Sequence, residues 1–413
     1  MKSSKFNPAF FIALCLSIVF LVSAPLFLPG KLADRNLPVP GSMENEGWTG
    51  IISFWYVPSV ETGRGSQVQW LNRYIRSFEK QHPGVFIDMR IMTVERMAMY
   101  FSGAPDPVLL PELITLGFYE QYVPYDMLLD LKPYFKDDEL SAVRKPALDS
   151  VMLEERLIGV PWMMGAYGLY VSNSLKAEQD LTSWEDLEHL DALNKMANAM
   201  SYEKKAGRKT IKYYGFCTYT TPSSRPLLSI IYNNEGKIIN NKGYGLIAEW
   251  YKIGNICPPN MTSFSYQQAF GLFAIEKRAG IMLGSTRVLY DLRKLTESGK
   301  GIDYSVYPVP TEGHDGVYHD QIAAIGILKK TPDEIRALCI EFLKGLLDVE
   351  HQQTLDELGM YSVLQSLRLY SDDDDMKALE SSLDRITVMP AGSSRDDVNK
   401  FWADFQSMLK VMQ

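Results

Sequence analysis

The sequence predicts an α/β protein. Short β-rich runs alternate with helical patterns along the whole chain, the order that gives sheets covered by helices. Near the start, Ile51–Met92 reads strand, helix, strand within the span of one βαβ unit. Its strands should be parallel and its crossover right-handed. The composition agrees. A chain of 413 residues suits two or three domains, at roughly 150 residues each. With 46% hydrophobic and 12% aromatic residues, it can bury a large core.

The elements follow in order. Ile51–Val57 is a strand. Gln67–Gln81 carries Val68, Leu71, Ile75 and Phe78 at helical spacing, and His82-Pro83-Gly84 stops it. Val85–Met92 alternates, with Val85, Ile87, Met89 and Ile91 on one face. Pro107–Leu110 reads as a buried strand, with helical stretches from there to Tyr134. Leu157–Trp162 and Gly168–Val171 are short strands. Thr182 and Glu185 have the spacing of a capping box. Tyr213–Cys217 is a strand, Tyr244–Ile253 a helix, Ala269–Ala279 a helix, and Gly280–Leu283 a strand. Strands at Ile302–Tyr307 and His319–Leu328 come next. Thr331-Pro332-Asp333-Glu334 starts a helix that buries Ile335, Leu338, Cys339, Phe342, Leu343 and Leu346. Beyond Asp375 the tail is mostly helical, with Phe401, Phe405 and Leu409 at four-residue spacing.

The N-terminus is distinct. Lys2 and Lys5 precede an uncharged run, Phe10–Leu28, of about 28 Å as a helix. Two readings stay open. A retained anchor fits the length of the run, and Val22-Ser23-Ala24 offers a cleavage site for a signal peptide, although Pro25 follows it. A lipoprotein signal fits poorly, because Cys15 sits mid-run after Leu14. Either way the folded part lies outside the cytoplasm. Residues 31–47, with Pro38, Pro40, Gly41 and Gly47, form a linker. Cys217, Cys257 and Cys339 match no metal-site spacing and are expected as buried free thiols.

The formal net charge of −8 argues against nucleic acid as a partner. Catalytic signatures are absent: there is no GxSxG, HExxH, GxxxxGK[ST] or CxxC, nor a GxGxxG after a strand. His314 and His319 share a loop with Asp315 and Asp320, in no known ligand spacing. The run Asp372–Asp375 lacks the spacing of a calcium loop and reads as solvated. No metal or cofactor is expected. Aromatic residues collect at strand ends: Trp55, Tyr56, Trp162, Tyr167 and Tyr170. Such rings stack on the C–H faces of sugars, and they also pack in cores. Trp184, at a helix start, reads as a packing residue.

Ordered segments carry a resemblance. IISFWY at 51–56 is similar to an opening strand with its aromatic residue. FEKQHPGV at 78–85, the Gly103-Ala104-Pro105-Asp106 turn, LIGVPWMMGAYGLY at 157–170 with Asn173, TSWEDL at 182–187 and FAIEKRAGIMLG at 273–284 follow in order. Together they resemble the extracellular solute-binding proteins of family 1, the sugar-binding receptors of ABC importers, over about residues 50–365. The resemblance implies a two-lobed periplasmic-binding-protein-like fold of type II with hinge segments. It puts 48–166 and 322–360 in one lobe, and 167–321 and 361–413 in the other. Residues 1–30 would be the anchor or signal peptide. By position it implies a ligand cleft with Trp55, Tyr56, Asp106, Trp162 and Tyr167, together with Ser285, Thr286, Arg287 and Tyr318. A Trp common in the family after the FAIEKRAGIMLG stretch is missing here, where Ser285-Thr286-Arg287 stands instead. Arg287 could bind a carboxylate such as a uronate, or form a salt bridge at the surface or between lobes. The implied function is capture of a carbohydrate and its delivery to the transmembrane subunits of an ABC permease, without chemistry and without a cofactor. A membrane-anchored sensor and a glycan-degrading enzyme are the alternatives.

Overall fold

The computed structural model describes residues 47–387, apart from 104–105, 117–122, 182–186, 222–224, 232–241, 254–255 and 311–316, and scattered positions between 400 and 410. The expected apolar segment 1–30, most of the linker, Ala104-Pro105, the Thr182–Glu185 box with Trp184, the His314 loop and Phe401, Phe405 and Leu409 lie outside the described residues. Among the described residues no helix is long and apolar enough to cross a membrane.

Two five-stranded sheets organise the chain. The first begins as the alternation predicts. Strand β1 (Gly50–Tyr56) pairs in parallel with β2 (Val85–Ile91), and α1 (Gln67–Gln81) connects them. Ser66 caps α1 by accepting from the Gln69 N–H, and the helix buries Trp70, Leu71, Tyr74, Ile75 and Phe78. Ile91, expected on the buried face of β2, is exposed, because β2 is an edge strand and runs past the helices that cover its start. Helix α2 (Val94–Phe101) covers the other face with Met97 and Phe101. Strand β3 (Leu113–Leu116) lies parallel to β1. Strands β4 (Val160–Met164) and β5 (Tyr167–Ser172) follow, divided between the two sheets.

The second sheet is built from β5, β6 (Tyr202–Ala206), β7 (Lys209–Cys217), β8 (Ala279–Ser285) and β9 (Tyr304–Pro308), in the order β9-β5-β8-β7-β6. Strands β7 and β8 are parallel, and the other pairs are antiparallel. Helices α3 (Leu190–Ala199), α4 (Lys242–Ile253), α5 (Tyr266–Phe270) and α6 (Thr286–Glu297) belong to this half. The chain then returns to the first sheet through β10 (Ile322–Ile327), completing the order β2-β1-β3-β10-β4. Helix α7 (Asp333–Gly345) packs there by Cys339, Phe342 and Leu343, and α8 (Asp374–Glu380) lies over β9.

Each sheet has its own apolar core. Val57, Val60, Trp70, Trp162 and Phe342 belong to the first. Tyr219, Trp250, Tyr266, Leu283 and Val288 belong to the second. Val143 and Ala147 also pack in the second core, although they precede β4. The adjoining Arg144 is fully buried and ties this segment to α8, with Nη1 2.7 Å from Asp384 and Nη2 3.4 Å from Glu380.

Four expectations are corrected. Pro107–Leu110 is no strand. Asp106 accepts from the Val108 N–H and caps a 3-10 turn, Pro107–Leu109, that leaves Val108 and Leu109 exposed. An Asp-Pro pair favours such a start, and the strand begins only at Leu113. The stretch to Tyr134 gives two 3-10 turns, Tyr125–Met127 and Lys132–Tyr134, each beside a proline. The helix expected over Ala269–Ala279 starts earlier, widens into a π turn over Gly271–Ile275, and ends before β8. The aspartate run is not a bare solvated loop either. Arg293 grips Asp373 with two bonds of 2.6 and 2.7 Å and reaches Asp375 at 3.1 Å, while Asp373 caps α8. Cys217, Cys257 and Cys339 are free and buried, and burial pushes each thiol up.

Strand β7 meets α3 with no room to spare. A Cβ on Gly215 would stand 1.7 Å from the Ala197 carbonyl oxygen. Both partners are backbone, so neither yields by rotating a side chain. Gly215→Ala should therefore lower stability by about 3 kcal/mol, read from the shift of the urea unfolding midpoint.

Candidate functional site

The two cores meet over a buried polar seam. On the first core, the loop after β1 is pinned by β3 and by α1. Thr115 Oγ1 accepts from the Val57 N–H at 3.2 Å, and Gln67 Nε2 donates to the Val60 carbonyl at 2.6 Å. The Tyr56 hydroxyl donates to Gln67 Oε1, and burial pushes that phenol up. This loop delivers Glu61, which is buried.

On the second core, β7 runs into Tyr219 and β8 ends at Ser285, the N-cap of α6. Glu61 Oε2 accepts from the Tyr219 hydroxyl and from Ser285 Oγ, each at 2.6 Å. Glu61 Oε1 lies 3.0 Å from Arg287 Nη1. From its other side the Arg287 guanidinium lies over the Tyr266 ring at 3.9 Å, with Nε 3.6 Å from Asp291. Thr286 Oγ1 donates to the Gly359 carbonyl at 3.0 Å.

A second cluster lies where the chain crosses between sheets. Gly165 N–H donates to the Gln321 carbonyl at 2.7 Å, and Met164 and Tyr361 exchange backbone bonds of 3.0 and 2.7 Å. The Tyr167 hydroxyl donates to Asp320 and accepts from Gln321 Nε2 at 3.0 Å and from the Arg225 N–H at 2.9 Å. Asp320 is buried. Burial raises its pKa, while Arg225, with Nη1 3.7 Å from Oδ2, and the Tyr167 and Gln321 bonds oppose the rise. Gln321 joins the two clusters, because its Oε1 accepts from the Glu61 N–H at 3.0 Å.

The structure brings together Tyr167, Ser285, Thr286 and Arg287 of the expected site. It does not add Trp162 to them. That ring is 0% exposed and stacks on Trp70 at 5.0 Å, so neither face is open to a ligand. Its reading as a sugar platform is corrected: the second tryptophan needed for that stack comes from α1, over ninety positions earlier in sequence. Trp55 is likewise buried, against Tyr100 and Phe101. Tyr56 points into the first core, and Asp106 is spent as a cap at the surface. The strand Val317–Tyr318 pairs with Ile386–Thr387, but the Tyr318 side chain is outside the described residues. Sequence reading missed Glu61, Tyr219, Gln321 and Arg225. The signal it had for Glu61 was a lone acid in a Gly-rich loop directly after the first strand.

Two α/β cores, joined by several crossing segments and meeting over a polar seam, define a two-lobed periplasmic-binding-protein-like fold. The chain belongs to the bacterial extracellular solute-binding protein family, whose model matches residues 74–380. Among solved structures it is similar to the GacH receptor of Streptomyces glaucescens, solved unliganded and with acarbose. That match has a TM-score of 0.63 and 15% identity, covering 88% of this chain and 93% of that one. It is also similar to an ABC substrate-binding protein from Listeria monocytogenes in complex with cycloalternan (TM-score 0.61, 15% identity, 89% and 95% covered). The sugar-binding protein MalE of Xanthomonas citri is a third (TM-score 0.61, 16% identity, 87% and 98% covered). At these identities the likeness shows the fold. No curated protein sequence matches the chain.

His319 gives the crossing segment a pH dependence. Its ring is buried 5.0 Å from Tyr167, its Nδ1 accepts from the Gln321 N–H at 3.0 Å, and burial holds its pKa down to about 3. The unfolded chain binds a proton near pH 6.5 and the folded chain does not. Stability is therefore full above that pH and falls below it, by up to about 1.4 kcal/mol per pH unit. Asp320 beside it, with its raised pKa, works in the opposite sense in acid. The melting temperature should drop between pH 7 and 5, and His319→Asn, which keeps an acceptor for Gln321, should flatten that drop. Trp162→Ala, in turn, should cost about 3–5 kcal/mol of stability in urea unfolding, as a core truncation does.

Proposed function

We propose that the chain is an extracytoplasmic carbohydrate receptor of an ABC importer, holding its ligand between two lobes and performing no chemistry. The observation that carries this reading is the seam itself. Hydroxyls, carboxylates, an amide and guanidinium groups from both cores converge on it, the mixture of donors and acceptors that sugar hydroxyls pair with. The saccharides named with the solved neighbours, acarbose and cycloalternan, support the same ligand class. In this reading the lobes are 48–166 with 322–360 and 167–321 with 361–413. The segments around Gly165, Gln321 and Met360 are the hinges, and the ligand drives closure by touching both lobes at once.

The ligand contacts are assigned to Tyr167, Ser285, Thr286 and Arg287, and Tyr318 is kept from the family resemblance alone. Residues 1–30 would tether the receptor beside the permease and raise its effective concentration there. No membrane contact beyond that segment and no nucleic acid enters the reading.

A thermal-shift panel of mono- and oligosaccharides, uronates included, tests it on the full chain. A true ligand at a hundred times its dissociation constant adds about 2.7 kcal/mol of stability. The expected result is a clear rise in melting temperature with one sugar class and no product after prolonged incubation. Appearance of a product would make the chain an enzyme, and no shift across the panel would overturn the carbohydrate assignment.

A further inference from the structure

We propose that Glu61 and the start of α6 form a clasp that holds the two lobes together without any ligand, so that the resting receptor is closed. The inference goes beyond the choice of ligand and does not depend on it. Glu61 follows Val60 of the first core, whose carbonyl accepts from Gln67 of α1, and its own backbone N–H donates to the Gln321 amide in the crossing segment. All three side chains on its carboxylate come from the second core: Tyr219, Ser285 and Arg287. The contacts are charge-assisted and between 2.6 and 3.0 Å, the strong end of the hydrogen-bond range. A carboxylate that has lost its water is held there by donors it can reach only while the lobes touch.

The clasp is seated against a close backbone approach. Gly63 and Gly359 both press on the ring of Tyr290 in α6, and a Cβ on either would come within 2.7 Å of it. Gly359 also has φ +62, a conformation that favours glycine. Thr286 bonds the Gly359 carbonyl, and Arg64 lies over the Tyr290 ring at 5.0 Å. The first turns of α6 thus rest on two loops of the first lobe, with Glu61 as their charged contact. An ordinary receptor of this build needs its ligand to supply the bonds across the cleft. Here an internal side chain supplies part of them.

The test measures lobe separation in the full chain with no ligand added. Spin labels are placed at exposed positions on the two lobes, as Lys80→Cys with Lys209→Cys and, separately, Arg76→Cys with Lys205→Cys, in a Cys15→Ser background. Pulsed dipolar spectroscopy should give one narrow distance distribution for each pair. Glu61→Ala, and the milder Tyr219→Phe, should broaden both distributions and add a second population. Circular dichroism checks that each variant is folded. Folded variants that keep the parent distributions would overturn the proposal, as would a parent chain that is already broad. If both variants unfold, the seam is part of one folding core rather than a clasp, and the proposal fails as well.

Discussion

The buried carboxylate of Glu61 is the interaction on which the arrangement of the two lobes rests. Taking a carboxylate out of water costs several kcal/mol unless donors replace the water. Here the replacements are two hydroxyls and a guanidinium from the opposite core. The cation is itself held in place by an aromatic face and a second acid. The seam is satisfied only when both halves of the chain are present and aligned. Losing any one donor leaves the charge under-solvated, which makes the pairing a sensitive reporter of alignment.

Gln321 carries that alignment into the crossing segments. Its side chain touches the Glu61 backbone, the Tyr167 hydroxyl and the Asp320 carboxylate, while its own carbonyl accepts from Gly165. A rotation of the lobes therefore cannot move the Glu61 loop without straining an amide buried between two crossing strands. The neighbouring His319 stays neutral because its pocket excludes water. Crossing segments, seam and buried titratable groups are one polar network, and such networks couple their members more strongly than isolated pairs do.

Much of the fold was legible in the sequence, because it is written in local periodicity. The helix Gln67–Gln81 is found at the bounds its stripe and its His-Pro-Gly stop imply. The parallel pairing of β1 and β2 follows from the short crossover. Misreadings fell where a short apolar run carries no period. Pro107–Leu110 looked like a strand because it is apolar, but the preceding aspartate turned it into a capped turn. The site was legible only as a neighbourhood. Ser285, Thr286 and Arg287 were placed by their strand-to-helix junction, whereas Glu61, Tyr219 and Gln321 act through partners more than a hundred positions away. Trp162 failed for the same reason, since a ring at a strand end looks alike whether it faces a cleft or another tryptophan.

That burial of Trp55 and Trp162 changes what recognition can be made of. With those rings committed to the first core, apolar stacking is not where these two residues contribute. The polar atoms of the seam remain, and those around the Glu61 carboxylate already satisfy one another. A ligand entering there must offer the displaced donors and acceptors equivalent partners, or the buried groups are left unpaired at a cost of about 1–3 kcal/mol each. A polyhydroxylated molecule meets this demand better than an apolar one or a single ion, because each of its hydroxyls both gives and accepts. A carboxylate ligand would in addition face Glu61 directly, with Arg287 already paired. If the ligand enters at the seam, as proposed, its electrostatics favour a neutral polyol over a uronate, and the preference follows from the same buried charge that pairs the two cores.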